Sequence, residues 1–237
     1  MKKIKYLYIP IGGTGRRLHI DCPHLEYSSK CFLSFNGKTL LQRIIEQCEV
    51  AVEEIMLIYC SDSQRKDAEE YFRSHPISLP VHLIYNADAD PYSSMPPIGD
   101  CLAVMGDSFV PTETWKGIFN SIASDPCLTF LRFFPKTQNQ DFAYYHLKGN
   151  DLLDWSHDRL DGYTHFEIGQ LLYFPPGTAG EAVRLCMESD ALTMLRFFIR
   201  SPRRVKCLAL PCYNINTGAD YVRVSALILN SNSEDNT

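Results

Sequence analysis

No hydrophobic run in this chain approaches the roughly 18 apolar residues that a membrane-spanning helix needs. Positive charge is also scarce: 23 Lys and Arg residues stand against 28 Asp and Glu residues, for a net charge of −5 at pH 7. That balance argues against a nucleic acid or an anionic membrane as a partner held by bulk electrostatics. A phosphate-binding site here would therefore have to be a local basic pocket in an acidic protein.

Regular metal-binding and disulfide patterns are missing as well. The nine cysteines include no CxxC pair, and the seven histidines show no metal-ligand spacing. Several cysteines lie in apolar runs, where a free thiol behaves as a small hydrophobic group. The pattern predicts a reduced, cytoplasmic protein without a structural zinc site. No Ser/His/Asp order and no internal repeat stands out.

A glycine-rich turn near the start of the chain is its most informative stretch. Residues 4–9 are β-prone and mostly apolar, and they run into the sequence GGTG at 12–15. Glycine lets a backbone approach a phosphate closely and present its N–H groups. Arg17 and Lys30 follow the turn and can add positive charge beside the same anion.

Two widespread phosphate-binding motifs do not fit this turn. The Rossmann pattern requires a third glycine at the position of Leu18. The P-loop pattern that ends at Lys38 and Thr39 requires an earlier glycine at the position of Phe32. The turn is therefore neither a dinucleotide fingerprint nor a Walker A loop.

Strands and helices alternate along the chain. Apolar runs predict strands at 4–9, 54–60, 79–85, 101–107, 128–134, 142–147 and 163–174, and a last strand that begins near Cys207 and leads into Asn214. Helical spacing predicts helices at 39–52, 61–74, 112–124, 178–189, 190–200 and 218–229. The order implies right-handed crossovers and a mainly parallel sheet. We expect a single domain over residues 1–230 and a disordered polar tail at 231–237.

Residues 11–41 resemble the signature of the sugar-phosphate nucleotidylyltransferases. Ile11–Leu18, IGGTGRRL, is similar to the family pattern [LA]-x-G-G-x-G-[TS]-R-L, and residues 29–41 (SKCFLSFNGKTLL) are similar to the lysine-containing segment that follows it. The chain departs from the family at Arg16, Ser29 and Thr39, where the family has Thr or Ser and two prolines. These positions shape the loop more than they supply its charge.

Two later segments extend the resemblance. The family's L-x-x-G-D segment is matched at residues 102–107, which implies that Asp107 binds a catalytic Mg²⁺ ion. An aspartate after a parallel strand also lies on the edge where α/β sheets bind ligands. The terminal pattern [DN]-[IV]-[DN]-T-P-x-D resembles Asn214–Asp220, which implies that Asn214 and Asn216 contact the same metal. A shorter match implies that Gly169 lies against the sugar.

The resemblance implies both an architecture and a reaction. The architecture is an α/β three-layer sandwich with a mainly parallel mixed sheet, the Rossmann-like fold of the nucleotide-diphospho-sugar transferases (GT-A-like). The implied reaction transfers a nucleoside monophosphate from a nucleoside triphosphate to a sugar 1-phosphate or a similar small phosphate acceptor and releases pyrophosphate. The implied site uses Mg²⁺, Arg17 against the pyrophosphate, Lys30 against the α-phosphate, and a triphosphate cradle of Gly12, Gly13, Thr14 and Gly15.

Two other functions stay open at this stage. A nucleotide-sugar-dependent glycosyltransferase usually carries a D-x-D after a central strand, but Asp88-Ala-Asp90 lies before the strand that Asp107 follows. A catalytically degenerate nucleotide-binding or regulatory protein would explain the altered loop residues and the missing Glu-Lys pair that holds the sugar phosphate in the family. Asp100 competes with Asp107 as a metal ligand, but it precedes its strand. The base, the acceptor and the oligomeric state are open.

Overall fold

Strands and helices alternate over the residues that the computed structural model describes, which are 3–13, 15–87, 93–96, 98–133, 142–156, 160–188, 197–200, 204–208 and 210–234. The strands are β1 (Ile4–Pro10), β2 (Ser34–Phe35), β3 (Lys38–Thr39), β4 (Val52–Tyr59), β5 (Val81–Tyr85), β6 (Cys101–Val104), β7 (Ser108–Phe109), β8 (Leu128–Phe133), β9 (Phe142–Lys148), β10 (Asp151–Ser156), β11 (Thr164–Phe174), β12 (Val205–Leu208) and β13 (Tyr213–Asn214). The helices are α1 (Arg16–Asp21), α2 (Leu40–Cys48), α3 (Asp62–Ser74), α4 (Thr112–Ser124), α5 (Ala179–Glu188) and α6 (Gly218–Glu234), and a 3-10 turn spans Lys30–Phe32.

The central sheet has nine strands in the order β5-β4-β1-β6-β11-β8-β12-β10-β9. The pairings β1–β4, β1–β6, β4–β5 and β8–β12 are parallel, and those of β10 and β11 with their neighbours are antiparallel. It follows that β10 and β11 run opposite to the other strands of the sheet. The prediction of an α/β fold with a mainly parallel mixed sheet is confirmed.

Side chains on both faces of the central strands are buried under helices. In β1, Leu7 and Ile9 belong to one core cluster together with residues of α2 and α4, whereas Tyr8 belongs to a second cluster with residues of α5. Strands alternate their side chains between the two faces of a sheet. A continuous apolar run is therefore buried on both sides, and each fully buried Leu or Ile contributes about 1.5–3 kcal/mol relative to exposure. The result is the predicted three-layer sandwich.

A third, smaller cluster packs beside the carboxyl end of the sheet. Its buried members are Leu18 of α1, three residues between the 3-10 turn and the start of α2 (Leu33, Phe35 and Leu40), and three residues in or just before α6 (Ile215, Val224 and Ile228). It brings residues 18–40 together with residues 215–228. Arg17, Lys30 and Asn216, each within three residues of a member of this cluster, line one cavity.

The capping residues predicted at the starts of two helices are confirmed. The side chain of Thr39 accepts a hydrogen bond from the Gln42 N–H (3.0 Å), and that of Ser61 accepts one from the Gln64 N–H (3.3 Å). Such caps satisfy N–H groups that a helix leaves without an internal partner. The elements that follow, α2 and α3, begin within one residue of the predicted positions.

Other boundaries differ from the prediction. Strand β6 ends at Val104, so that residues 105–107 form a turn rather than its last residues. Helix α1 and strand β10 have no counterpart in the sequence-based prediction. Helix α6 continues to Glu234, four residues into the segment predicted as a tail, and residues 235–237 lie outside the described residues. The helix predicted at 190–200 is described at 197–200 alone.

No helix in the described part of the chain is both long and apolar enough to span a membrane.

Candidate active site

A cavity of about 640 Å³ opens at the carboxyl ends of the parallel strands. Consecutive positions along this edge supply its walls: Asn86 follows β5, Cys60 follows β4, Gly12 follows β1 and Asp107 follows β6. Open α/β sheets bind ligands at this edge because the loops that leave the strands diverge there. The cavity is therefore the candidate active site.

The glycine turn borders the cavity with Gly12, Gly13 and Gly15. Gly13 (φ 97°) and Gly15 (φ 59°) adopt backbone conformations that residues with a Cβ atom rarely take. A Cβ atom on Gly15 would also lie 2.7 Å from the hydroxyl oxygen of Tyr27. Glycine at position 15 is thus required by both backbone conformation and space. Thr14, the fourth residue predicted to cradle phosphate, lies outside the described residues.

Tyr27 holds the turn from outside. Its hydroxyl donates a hydrogen bond to the carbonyl oxygen of Gly15 (3.2 Å), and its ring stacks on His19 with a centroid separation of 4.2 Å. Burial raises the pKa of the Tyr27 hydroxyl above its ordinary value, so the donating proton is kept to a higher pH than in an exposed tyrosine. No sequence motif predicts a role for Tyr27, because its contact with Gly15 spans a loop that carries no motif.

Two arginines line the cavity just after the turn. Arg16 and Arg17 are both exposed, and neither forms a hydrogen bond or ion pair within the described part of the chain. Free guanidinium groups beside a glycine turn suit the planar oxygen pairs of a phosphate. Arg16 stands where the resembled pattern has Thr or Ser, and it was not among the predicted site residues. The structure places it on the same cavity as Arg17.

Lys30 is the buried cation of the site. Its side chain is 10% exposed, and its ammonium group donates to three oxygen atoms: a carboxylate oxygen of Asp107, the carbonyl oxygen of Ile215 at 2.8 Å, and Oδ1 of Asn216 at 2.9 Å. An ammonium group has three N–H donors, so these contacts satisfy it fully. A charge taken out of water needs such partners, because an unpaired buried ion is strongly unfavourable.

Backbone contacts hold Asp107 against the first strand. The Gly106 N–H donates to the carbonyl oxygen of Pro10 (3.0 Å), and a Cβ atom on Gly106 would lie 3.1 Å from that same oxygen. The Ile215 N–H donates to the carbonyl oxygen of Asp107 (3.0 Å). The turn after β6 is thereby fixed between β1 on one side and the segment of Asn216 on the other.

Asn216 is positioned by the start of α6. The Asp220 carboxylate accepts hydrogen bonds from the N–H groups of Asn216 and Thr217, both at 3.0 Å. A carboxylate in the first turn of a helix also interacts favourably with the helix dipole. Asp21 of α1 reaches the same helix, because its carboxylate accepts from the Gly218 N–H at 2.8 Å. Helix α1, which follows the glycine turn, is thus tied to the helix that follows Asn216.

The two remaining predicted site residues, Asn214 and Gly169, do not line the cavity within the described part of the chain. Asn214 is buried in β13, where it pairs with Ser108, and Gly169 lies in β11 between Ile168 and Leu172, where the pairing with β8 changes register. The roles that the resemblance implies for these two residues stay predictions.

Asp100, the competing metal candidate, lies at the other end of β6. Its carboxylate accepts hydrogen bonds from the Lys5 N–H (2.9 Å) and from the Tyr173 hydroxyl (3.3 Å). Burial, reinforced by this carboxylate, raises the pKa of Tyr173. Asp100 is a partner of backbone and core groups and does not face the candidate active site.

The donor chemistry of the cluster suits Mg²⁺. This ion prefers oxygen ligands and commonly binds through one or two carboxylates together with substrate phosphates. Asp107 Oδ1 is buried and has no hydrogen-bond partner among the described residues, while Asn216 adds an amide oxygen. The described residues contain no group of three or more His, Cys, Asp or Glu side chains that could hold a metal. Phosphate oxygens of a bound substrate would have to complete the coordination.

Comparison with known proteins finds solved structures that share the fold of this chain. No protein-family model and no curated protein matches the sequence. Among solved structures, an inositol-1-phosphate CTP transferase from T. maritima superposes with a TM-score of 0.68 at 15% identity, over 92% of this chain and 91% of that one.

Two further structures are similar over nearly their full length. A Bacillus anthracis protein assigned as a glucose-1-phosphate thymidylyltransferase, in complex with a sucrose, gives a TM-score of 0.71 at 11% identity and covers 94% of both chains. A UTP-bound UGPase from Acinetobacter baumannii gives 0.69 at 12% identity, over 95% of this chain and 93% of that one. The chain therefore has the fold of the sugar-phosphate nucleotidyltransferases, as its motifs predicted.

Proposed function

We propose that the protein is a Mg²⁺-dependent nucleotidylyltransferase that transfers a nucleoside monophosphate from a nucleoside triphosphate to a sugar 1-phosphate or a similar small phosphate acceptor. The observation that carries this proposal is the convergence of the glycine turn, Arg17, Lys30, Asp107 and Asn216 on one cavity. The solved structures that share the fold support the reaction class, since they include a CTP transferase, a thymidylyltransferase and a UTP-bound enzyme.

The reaction makes one main physical demand, which is to bring two anions together and to stabilise the extra negative charge. An acceptor phosphate oxygen attacks the α-phosphorus in line, the new P–O bond forms as the bond to pyrophosphate breaks, and pyrophosphate leaves. Positioning and fixed positive charge can promote this step without a covalent enzyme intermediate. In our proposal the glycine turn and Arg17 hold the β- and γ-phosphates, and Lys30 faces the α-phosphate.

Arg16 adds a further positive charge beside Arg17. It is exposed on the same cavity as Arg17 and has no partner within the described part of the chain. We assign it to the triphosphate as a second guanidinium. Asp107 and Asn216 would hold Mg²⁺, and the ion would neutralise charge on the phosphates. The resemblance adds Asn214 as a further candidate ligand.

The order of strands along the cavity suggests where the two substrates lie. The phosphate-binding groups follow β1 and β6, whereas Tyr59, Cys60 and Asn86 follow β4 and β5. Neighbouring strands are about 4.8 Å apart, so the β4–β5 side offers roughly 10 Å beside the phosphates. That length fits a nucleoside. The acceptor would then enter from the side of β6 and β11, where Gly169 is predicted to contact the sugar.

The test is pyrophosphate release with CTP, UTP, dTTP, GTP or ATP plus Mg²⁺, against a panel of sugar 1-phosphates and phosphocholine. We expect release with one substrate pair, a loss of turnover by orders of magnitude in Lys30→Ala, and retention in Lys38→Ala. Lys38 is a matched control, since it is an exposed lysine paired with Glu46. Normal turnover in Lys30→Ala would remove Lys30 from the mechanism.

Two other outcomes would replace the proposal. Absence of pyrophosphate release, with a triphosphate still raising the melting temperature, would identify a nucleotide-binding protein without transferase activity. Hydrolysis or transfer from a nucleotide sugar instead of a triphosphate would identify a glycosyltransferase. The D-x-D candidate for that activity, Asp88-Ala-Asp90, lies outside the described residues.

A further inference from the structure

The ammonium group of Lys30 occupies a position that a metal ion on Asp107 and Asn216 would need. Its three partners are a carboxylate oxygen, an amide oxygen and the carbonyl oxygen of Ile215. Oxygen atoms of these three kinds are also the ligands that hard divalent cations take in proteins. The cluster is therefore an oxygen-lined cation site, and in this structure its cation is a lysine side chain.

A divalent ion bound to the oxygen atoms that Lys30 contacts would lie beside its ammonium group. Mg²⁺ binds its ligands at about 2.0–2.1 Å, so an ion bridging Asp107 and Asn216 would fall close to the Lys30 nitrogen, which lies 2.9 Å from Asn216 Oδ1. Two positive charges at such a distance repel strongly where little water screens them. Side-chain exposure of 10% for Lys30 and 16% for Asp107 leaves little water between them. Metal binding at this pair therefore requires Lys30 to move.

We infer that Lys30 is the resident counter-ion of the Asp107–Asn216 pair in the nucleotide-free protein, and that a divalent ion enters the pair only together with a nucleoside triphosphate. The triphosphate offers Lys30 a new anionic partner, and the flexible four-carbon stem of lysine allows the ammonium group to reach it. The vacated oxygen atoms, together with Asp107 Oδ1, then accept the ion. This inference rests on the proposed function, because it assumes that the cavity binds a triphosphate.

The inference predicts a gain of metal binding when Lys30 is removed. The nucleotide-free wild-type protein should bind Mn²⁺, a spectroscopic substitute for Mg²⁺, weakly. In Lys30→Met the carboxylate has no counter-ion, so Mn²⁺ should bind roughly ten- to hundredfold more tightly, as expected when one of two competing cations is deleted. Mn²⁺ should also raise the melting temperature of Lys30→Met and leave that of the wild-type protein unchanged.

The experiment is a Mn²⁺ titration read by electron paramagnetic resonance, with thermal melting in parallel and without nucleotide or acceptor. Two further variants complete it. Lys30→Met/Asp107→Asn should lose the gained site, and Lys38→Met should behave as the wild-type protein, because Lys38 is an exposed lysine in a surface ion pair. Equal Mn²⁺ affinity in the wild-type protein and Lys30→Met would overturn the inference, as would a gained site that persists without Asp107.

A measurement on the wild-type protein keeps the inference testable should Lys30→Met not fold. A buried ammonium group exchanges its protons slowly enough to be followed by NMR with ¹⁵N-labelled lysine. The Lys30 signal should be insensitive to Mn²⁺ alone and should broaden when Mn²⁺ is added with a non-hydrolysable triphosphate analogue. Broadening by Mn²⁺ alone would overturn the inference.

Failure of the inference and failure of the proposed function can be told apart. The titration of nucleotide-free protein uses no turnover, whereas the pyrophosphate assay reports turnover and not the resting position of Lys30. A protein that releases pyrophosphate but binds Mn²⁺ equally well with and without Lys30 would keep the function and lose the inference. A silent substrate panel with a gained Mn²⁺ site would keep Lys30 as the counter-ion and lose the transferase.

Discussion

The hydroxyl of Tyr27 donates a hydrogen bond to the carbonyl oxygen of Gly15 (3.2 Å) and leaves no room for a side chain at position 15. A residue from the loop before Lys30 thus sets the shape of the glycine turn. The geometry of the phosphate-binding backbone depends on this contact between segments, and not on the glycines alone.

Replacement of Gly15 by alanine should impair nucleotide binding. The new Cβ atom would lie 2.7 Å from the Tyr27 hydroxyl, and the φ of 59° is unfavourable for alanine. Strain of about 1–3 kcal/mol should shift the turn or displace Tyr27. We expect a lower melting temperature and a triphosphate affinity reduced roughly tenfold, or about 1.4 kcal/mol, measured by calorimetry.

Gly149→Ala is a matched control for the backbone cost. Gly149 has a φ of 63°, and nothing lies within 4 Å of a Cβ atom built on it. This variant should lose stability without losing triphosphate affinity. A Gly15→Ala/Tyr27→Ala double variant should be less impaired than the sum of the single variants if the contact with Tyr27 causes the effect. Simple additivity would show that the backbone conformation alone is responsible.

Replacement of Asp107 by asparagine should weaken both the fold and the use of metal. The variant removes the negative charge that compensates the buried Lys30 ammonium, a change that we expect to cost about 2–4 kcal/mol in unfolding free energy. It should also raise the Mg²⁺ concentration needed for half-maximal turnover. Asp100→Asn is the control, because Asp100 is a buried carboxylate at the opposite end of β6. Unchanged metal dependence in Asp107→Asn would point to another ligand.

The sequence predicts the elements that local signals encode. Continuous apolar runs predict β1, β4 and β6 because strands buried on both faces need no polar alternation. Capping residues predict the starts of α2 and α3, since Thr39 and Ser61 act within three residues of their own positions. Strand β10 was not predicted, because its buried and exposed residues do not alternate one by one along the strand.

The inner geometry of the site depends on contacts that the sequence does not encode locally. Lys30 meets Asp107 across 77 positions and Asn216 across 186 positions. The motifs indicate that each of the three residues matters, but not that the lysine and the predicted metal ligands bind one another. That contact arises because β1 and β6 are neighbours and because the third core cluster packs α6 against the glycine-turn helix.

Replacement of Asp220 by alanine should make Asn216 more mobile, although Asp220 itself does not line the cavity. The carboxylate accepts two backbone N–H groups at 3.0 Å, and loss of such charge-assisted bonds should cost about 1.5–3 kcal/mol. Because Asn216 would then hold the Mg²⁺ ion less firmly beside the triphosphate, we expect kcat to fall more than the triphosphate affinity. Thr217→Ala is the control, since it removes a single hydrogen bond to the Asp220 N–H (3.3 Å). Equal effects of the two variants on kcat would contradict a positioning role for Asp220.

The protein should lose stability at alkaline pH. Burial raises the pKa of Tyr27, Tyr145 and Tyr173, and it raises that of Tyr71 to about 12. The unfolded chain ionises its tyrosines near pH 10, below these folded values, so the unfolded state binds fewer protons and stability falls as the pH rises above about 10. Urea unfolding from about pH 8 to about pH 11 measures this slope. Tyr173→Phe should show a shallower fall, and an unchanged slope would contradict the assignment.

Chemical modification of Cys60 should block triphosphate binding. Among the cysteines whose side chains the structure describes, Cys60 alone is exposed, and a Cβ atom built on Gly12 would lie 3.7 Å from its sulfur. A negatively charged thiol reagent attached there should repel the triphosphate from the glycine turn. Cys31 and Cys48 should not react, because they are buried and burial raises the pKa of both thiols.

Mass spectrometry measures the labelling of Cys60, and calorimetry measures the triphosphate affinity of the labelled protein. We expect the triphosphate to slow labelling at Cys60, and we expect the labelled protein to have lost its affinity. Cys60→Ser separates the thiol from the rest of the cavity, because its triphosphate affinity should be the same before and after treatment with the reagent. Full affinity in protein labelled at Cys60 would show that the triphosphate does not bind beside the glycine turn, which would remove the basis of the proposed phosphate contacts.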